Sequence, residues 1–425
     1  MRGTFVRERN FLILLSGVFI NGIGGGVYAV SGMLLVLQMS GSVLYSGITF
    51  FFLTLASAMA FLIAPFANYV TYKGGLIGSE LLKSLLLVTI PLFYFTIGLN
   101  VFYVMMLLLI VALISQFSYP IESTIMPIIV GKENIVKANS YMQTIREGMS
   151  IVFVAGAGIL VVVIGPVQAI LITAICHLLS SLTYVFFTFQ QESAPTEKQS
   201  INLLVQTYKI DLRAGIDYMK ESLIPKMIVS IVFINFAMGV MIPNMPAFAL
   251  IKGNGNEALY GFYLASLSLG IMIGALLAPR IKQYGFGMLT IVSFSFTGFL
   301  WMGAAVLPAI PSILFFCIGA ISIGIINILM FSSIQQQVES AFIGRVLTVL
   351  TSAASIGMPF GSLVGGFIGE SFTAIVPVFL CGIAMIIFSV SWLSNTLLRK
   401  LPKIDEVKLF PARDVDESIQ YEKSV

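Results

Sequence analysis

Charged residues are scarce in this chain of 425 residues: Lys, Arg, Asp and Glu together make up 10% of it, against about 25% in an ordinary soluble domain. Hydrophobic residues make up 58%, and the mean hydropathy is +1.00. Apolar runs follow one another from Phe11 to about Leu398, each close to the roughly 20 residues that cross a bilayer as a helix. The composition therefore predicts a multi-pass membrane protein with few residues left for a soluble domain.

Cysteine and histidine are also rare. The three cysteines, Cys176, Cys317 and Cys381, fall in apolar segments with a spacing that fits neither a disulfide framework nor a metal site. The patterns GxxxxGK[ST] and HExxH are missing, so ATP hydrolysis and zinc proteolysis lack their usual residues. We therefore expect no enzyme activity, no metal and no cofactor. The net charge of +4 reflects Lys and Arg at helix ends, so it does not indicate nucleic-acid binding.

The apolar runs predict an all-α membrane fold of twelve transmembrane helices. The first run follows the basic start MRGTFVRERN but continues to about Gln38 without an evident cleavage site, which favours a retained helix over a signal peptide. The predicted helices lie at about 11–38, 43–71, 76–97, 100–130, 135–164, 166–190, 226–250, 257–283, 286–307, 311–338, 342–369 and 373–398.

Basic residues are distributed unequally between the joining segments. The segments after even-numbered helices and the two tails carry nearly all of the Lys and Arg outside the helices, whereas the segments after odd-numbered helices carry only Lys252. The positive-inside rule therefore places both termini in the cytoplasm, which an even number of helices requires. We expect the chain to lie in the cell membrane.

One long polar segment divides the chain. Between the sixth and seventh helices, apolar residues recur at helical spacing and charged residues take the opposite face, which predicts an amphipathic helix on the membrane surface; the alternative is a flexible linker. The sequence therefore predicts an N-terminal six-helix bundle at 1–190, a cytoplasmic linker at 191–225, a C-terminal six-helix bundle at 226–398 and a solvated tail at 399–425.

The two predicted bundles repeat each other. One constant offset carries Gly47 onto Gly261, and Ala64 and Pro65 onto Ala278 and Pro279. The same offset carries Asn21 in helix one onto Asn235 in helix seven. Two parallel repeats of six helices are the architecture of transporters whose halves rock about a site near the membrane midplane.

Three segments carry a family resemblance: SYPIESTIMPIIVGKENIVKANSYMQ around helices four and five, VESAFIGRVLTVLTSAASIGMPFGSLVGGFIG in helix eleven and IAPFANYV after helix two. With them the chain resembles the major facilitator superfamily, in particular its macrolide and siderophore exporters. In that superfamily an Asp after helix two faces the start of helix eleven at the cytoplasmic gate. This sequence has Tyr72 and Lys73 there, so the resemblance implies a weaker gate contact with Arg345.

Charged residues inside predicted helices are candidates for function, because an unpaired charge in the bilayer costs at least about 2.5 kcal/mol. Helices four and five form a hairpin in which Glu122 and Arg146 lie at similar depth, roughly 15 Å from the turn. We expect these two to pair, which leaves Glu147 as a carboxylate able to take a proton. Glu147, Glu122 and Arg146 are therefore proton-coupling candidates. The alternative is one inert network that holds the two helices together.

Three further ionisable residues have simpler interpretations. Glu80 and Lys83, three residues apart on helix three, are expected to form a local ion pair whose Lys extends to the membrane surface; the alternative is a coupling site. His177, the only histidine, is a possible proton relay or a hydrogen-bonded packing residue.

Polar uncharged residues on the helices that line the central cavity in the family are candidates for substrate contacts. An Asn can instead bridge two helices. Sparse hydrogen-bonding groups in an apolar cavity suit amphipathic molecules. The candidates are Asn21, Asn235, Asn327, Gln116, Tyr119 and Gln143.

Secondary active transport is the function that these features indicate. The most concrete hypothesis is proton-coupled efflux of an amphipathic drug, antibiotic or similar small molecule by a monomer in the lipid bilayer. Two alternatives stay open, an uptake permease for a small solute and a non-transport membrane protein that retains the fold.

Overall fold

The computed structural model describes residues 8–59, 70–131, 135–188, 206, 210, 213, 216–217, 222–256, 258–337 and 343–407. These residues form helices and no β-strand, apart from an isolated bridge between Gly285 and Lys403. The helices are α1 Arg9–Ser40, α2 Val43–Ala58, α3 Tyr72–Thr96, α4 Val101–Val130, α5 Ile135–Ile164, α6 Pro166–Val185, α7 Ile224–Lys252, α8 Ala258–Ile281, α9 Phe286–Val306, α10 Ala309–Gln337, α11 Ile343–Ser371, α12 Ile375–Ser394 and α13 Thr396–Arg399.

The twelve predicted helices correspond in order to α1–α12. By length and composition, nine helices of the described chain are long and apolar enough to cross a membrane. The second predicted helix differs most, since α2 covers Val43–Ala58 and residues 60–69 lie outside the described part. Helix α7 is interrupted by a 3-10 turn at Ile242–Asn244, between the α-helical parts Ile224–Met241 and Met245–Lys252.

Local sequence signals explain where several helices begin and end. Gly41 follows α1 with φ 64°, a left-handed conformation that glycine adopts without steric cost, and its N–H donates to Leu37 O. Gly165, with φ 87°, separates α5 from α6, and Pro166 then starts α6 at a position where no N–H is needed. The Thr71 side chain accepts a hydrogen bond from Gly74 N and caps α3.

Two halves are evident from the helix packing: α1–α6 form the N half and α7–α12 the C half. In the N half α6 packs against α1 and α3; in the C half α12 packs against α7 and α9. We call the end of the bundle where α1 begins and α12 ends the terminal end. The opposite end, with the turns α1–α2, α5–α6, α7–α8 and α11–α12, is the distal end.

Two apolar cores lie entirely within the N half, beside a larger core of the C half that also includes residues of α1, α5 and α6. One lies toward the terminal end and includes Phe11, Leu76 and Tyr184; the other lies toward the distal end and includes Leu87 and Leu108. Both draw residues from α1, α3, α4 and α6. The layer between them is therefore the place where polar side chains of these helices meet.

The first part of the C-terminal tail is packed, which corrects the prediction of a solvated tail from residue 399. Leu401, Ile404 and Val407 are buried against the terminal end of the C half, and Phe286 N donates to Pro402 O. Apolar side chains at these positions make this contact. The prediction missed it because the segment also carries charges of both signs. In the central segment, the described residues Gln206, Ile210, Arg213, Ile216 and Asp217 are helical.

Candidate functional site

The N and C halves touch most extensively through two helix pairs, α2 with α11 and α5 with α8, and the distal part of α7 also contacts α1 and α2. In the first pair a Cβ on Gly47 would lie 2.6 Å from Ser362 O and 2.8 Å from Gly366 Cα. A side chain at position 47 would therefore push α2 and α11 apart. Glycine allows the two backbones to meet directly, as small residues do between membrane helices.

The second helix pair repeats this contact. A Cβ on Gly261 of α8 would lie 2.5 Å from the carbonyl carbon of Gly158 on α5. Gly261 is the residue onto which the sequence repeat carries Gly47, so the two contacts are related by the pseudo-symmetry of the halves. Both lie near the distal ends of their helices and close that end of the molecule.

A hydrogen-bonded carboxylate adds a third contact between the halves at the distal end. Glu370 Oε2, near the end of α11, accepts from Ser42 Oγ at 3.0 Å, Val43 N at 2.8 Å and Leu44 N at 3.3 Å. An anion at a helix N-terminus binds N–H groups that have no partner within the helix and interacts favourably with the helix dipole. We call this interaction of Glu370 with the start of α2 the distal latch.

A buried cluster of polar and ionisable groups lies between the two cores of the N half. Glu80 Oε1 accepts from Lys83 Nζ at 2.7 Å and from Asn21 Nδ2 at 3.0 Å, and Glu80 Oε2 lies 2.7 Å from His177 Nδ1. The side chains of Glu80 and Lys83 are 0% exposed and that of His177 is 4% exposed. The ionic cluster, as we call these four residues, joins α1, α3 and α6.

The C half has no ionic counterpart of this cluster among the described residues at the equivalent positions. The repeat offset that relates Gly47 to Gly261 carries Glu80 onto Phe294 and Lys83 onto Thr297. Phe294 is buried and packs on Phe388 of α12 with ring centroids 4.5 Å apart. Because aromatic packing fills this layer in the C half, the six-helix architecture does not itself demand charges there.

The ion pair between Glu80 and Lys83 was predicted, but the expected extension of Lys83 to the membrane surface is wrong. Lys83 is fully buried, and its ammonium group is bound by Glu80, which also contacts His177 of α6. The hydrogen bond predicted for His177 is present. Asn21, predicted as a cavity residue, bridges α1 to α3 by its bond to Glu80.

Glu122, a proton-coupling candidate, is buried on α4 with 3% exposure. Of the other two candidates, Arg146 and Glu147, the structure describes the backbone within α5 but not the side chains. A Cβ on Gly22 of α1 would lie 2.9 Å from Met149 Cβ, so α5 passes α1 next to Asn21. The segment of α5 that holds Arg146 and Glu147 thus lies about one helical turn from the depth of the ionic cluster.

The predicted cavity residues have different surroundings. Asn235 is half-buried and donates to Ile231 O of its own helix at 3.0 Å. Gln116 is half-buried on α4 and Asn327 is exposed on α10. The side chains of Tyr119 and Gln143 lie outside the described part, so their contribution to a cavity stays a prediction.

The predicted gate residues lie at the terminal end. Lys73 Nζ donates to Phe187 O at 2.9 Å, just beyond α6, and Asn10 bonds Thr188 in the same region. These bonds fasten the terminal ends of α1, α3 and α6 to one another within the N half. Tyr72 is half-buried, and the side chain of its predicted partner Arg345 lies outside the described part.

A family model described as "Transmembrane secretion effector", from the major facilitator superfamily, matches residues 7–424. The chain belongs to this family. It is a multi-pass membrane transporter of the major facilitator type.

Two relatives of this transporter are proteins of Bacillus subtilis (strain 168). "Uncharacterized MFS-type transporter YvqJ" is 24% identical over 413 residues, which cover 94% of this chain and 96% of that protein. "Uncharacterized MFS-type transporter YjbB" is 21% identical over 285 residues, or 66% of this chain and 68% of that protein.

Solved structures share the fold of this major facilitator transporter. The nucleoside transporter NupG has a TM-score of 0.66 at 12% identity, covering 90% of this chain and 98% of that one. A bacterial homologue of the human lysosomal transporter Spinster, inward-facing and unoccupied, has a TM-score of 0.65 at 12% identity, covering 97% and 100%. The likeness confirms the predicted fold of two six-helix bundles.

Proposed function

We propose that this protein exports amphipathic small molecules, such as drugs or antibiotics, in exchange for protons by alternating access. The observation that supports this mechanism is the interface between the two halves. Backbone contacts at Gly47 and Gly158 and the distal latch at Glu370 connect two internally packed bundles. Apolar residues of α1, α5 and α6 also pack on the core of the C half, so rocking of the halves would exchange these contacts while the packing within each half persists.

The predicted orientation of the chain and its family description support export as the direction of transport. Basic residues in the tails and in the segments after even-numbered helices favour a cytoplasmic terminal end in the cell membrane. With the distal end closed, a central site would be reached from the cytoplasm in this state. The resemblance to macrolide and siderophore exporters and the family description "Transmembrane secretion effector" support the same direction.

Proton coupling is assigned to Glu147 and Glu122, with Arg146 as the countercharge that pairs with one of them. A carboxylate inside the membrane part of a transporter is costly to keep ionised, so it takes a proton when its partner moves away. Glu122 is almost completely buried on α4, which supports this assignment for one of the two carboxylates. For exchange, the substrate must bind preferentially to one state of this site and the proton to the other.

The substrate class is inferred from the groups available around the centre. Asn235 and Gln116 are half-buried amides on helices that are otherwise mostly apolar. A cavity with few hydrogen-bonding groups suits a compound with an apolar body and few polar atoms. Two halves in one chain complete the transport path, so we propose that a monomer is the working unit.

The proposed exchange is tested with purified protein in detergent at weak buffering. Ethidium, a macrolide and a peptide antibiotic are each added while the pH of the solution is recorded. We expect at least one compound to release protons from the native protein, and Glu147→Gln to reduce the release while compound binding remains. A folded native protein that binds a compound without proton exchange would contradict proton coupling.

The alternative function is an uptake permease for a small solute. A transport experiment distinguishes it from export. In cells, export predicts that an uncoupler increases retention of the compound. Uptake predicts that the uncoupler abolishes its accumulation.

A further inference from the structure

We propose that His177, held by Glu80, is a proton-binding site of the transporter. This inference rests on the proposed proton-coupled function and adds a site to it. It places one transported proton in the N half, on the ring of the only histidine in the chain. The other three residues of the ionic cluster position that ring.

The hydrogen bonds determine which ring nitrogen takes the proton. A carboxylate only accepts hydrogen bonds, and Glu80 Oε2 lies 2.7 Å from His177 Nδ1, so Nδ1 carries hydrogen. The other oxygen of Glu80 is bound by Lys83 Nζ and Asn21 Nδ2. Both carboxylate oxygens are therefore satisfied as an anion. The basic position left in the cluster is Nε2 of His177.

The ionic cluster has two charge states, which differ by one proton on His177. With neutral His177, the negative charge of Glu80 and the positive charge of Lys83 cancel. When a proton from water binds the Nε2 lone pair, the cluster carries one positive charge, and the same N–H bond breaks when the proton leaves. A buried net charge disfavours a closed, dry surrounding, so protonation of His177 would favour rearrangement of the N half.

The position of the cluster favours a functional role over a purely structural one. It lies between two apolar cores that hold α1, α3, α4 and α6 together without it. In the C half, Phe294 and Thr297 occupy the positions that the repeat assigns to Glu80 and Lys83, and the helices pack there without charge.

The charged and titratable groups on the surrounding helices influence this titration. Glu122 on α4 is buried, and α5 runs past Asn21 at Met149. A proton on His177 and a proton on a carboxylate of α4 or α5 would thus be linked through their charges. The groups concerned are Tyr28 on α1, Glu80 and Lys83 on α3, Glu122 on α4, Arg146 and Glu147 on α5, and Cys176 and Tyr184 on α6.

The single histidine makes a direct measurement possible. Protein carrying ring-15N-labelled histidine and a purification tag without histidine gives the NMR signals of His177 alone. In the native protein in liposomes, we expect the ring to change from the Nδ1–H neutral form to the imidazolium as the pH is lowered from about 9 to about 5. A ring that keeps one protonation state from pH 9 to pH 5 would overturn the assignment.

A variant tests whether this titration is used. His177→Asn keeps an N–H donor near the position of Nδ1 but cannot take a proton, whereas the neighbouring Cys176→Ser serves as the matched control. With a compound that releases protons from the native protein, we expect His177→Asn to lower the number of protons released per bound compound. Release equal to that of the control would refute the inference. If the native protein itself releases none, it is the proposed coupling that fails, and the NMR titration still decides the state of His177.

Discussion

At the residue scale, the complete burial of the ion pair between Glu80 and Lys83 is the least expected feature of the N half. Both side chains are fully buried, and each hydrogen bond that satisfies Glu80 comes from a different residue: Asn21, Lys83 or His177. A buried ion pair adds little net stability. Removing one of its two residues is nevertheless costly, because the other charge is then left buried and unpaired. Substitutions in this cluster should therefore depend strongly on one another.

Lys83→Met is expected to destabilise the protein by about 3–5 kcal/mol, because it leaves the Glu80 carboxylate buried without its countercharge. Glu80→Gln combined with Lys83→Met removes both charges and should recover much of that loss. Denaturant unfolding in detergent of the native protein, both single variants and the double variant measures the coupling. Strictly additive effects would show that the pair is not coupled in the folded protein.

At the element scale, the contacts between helices of different halves depend on glycine. Gly158→Ala places a methyl group against the backbone of Gly261 and should separate α5 from α8 at the distal end. Gly156→Ala, two residues earlier on α5, is the matched control, since a Cβ there meets nothing within 4 Å. Labelling of a Ser46→Cys reporter in a background without native cysteines measures distal opening. We expect several-fold faster labelling in the first variant; equal rates would contradict the glycine contact.

The distal latch gives a second prediction for the same helices. Glu370→Gln removes the negative charge at the start of α2, an interaction worth about 1 kcal/mol, so distal opening should increase roughly fivefold. The same reporter at position 46 measures it. Glu406→Gln is the control, because Glu406 forms only an exposed pair with Lys403 at 3.7 Å. A latch variant that labels like this control would exclude Glu370 from distal closure.

At the scale of the whole molecule, the fold could be predicted because apolar run length and the placement of basic residues reflect the bilayer directly. The glycine contact of Gly47 was not predicted, although the repeat marks the residue, because sequence does not show which helices of different halves meet. The contacts that join the Glu80 ion pair to His177 and Asn21 were missed for the same reason. Glu80 and His177 are 97 positions apart, and their contact depends on α3 packing against α6.

The central claim is that this major facilitator transporter moves an amphipathic compound and protons in opposite directions. Protein in liposomes with an acidic lumen is given a compound that releases protons from it in detergent, and the compound and the internal pH are followed together. We expect the compound to accumulate as the lumen loses protons. An uncoupler should abolish both changes, and Glu147→Gln should strongly reduce them. Movement of the compound in the same direction as the protons would contradict this exchange. So would a transport rate that does not depend on the pH gradient.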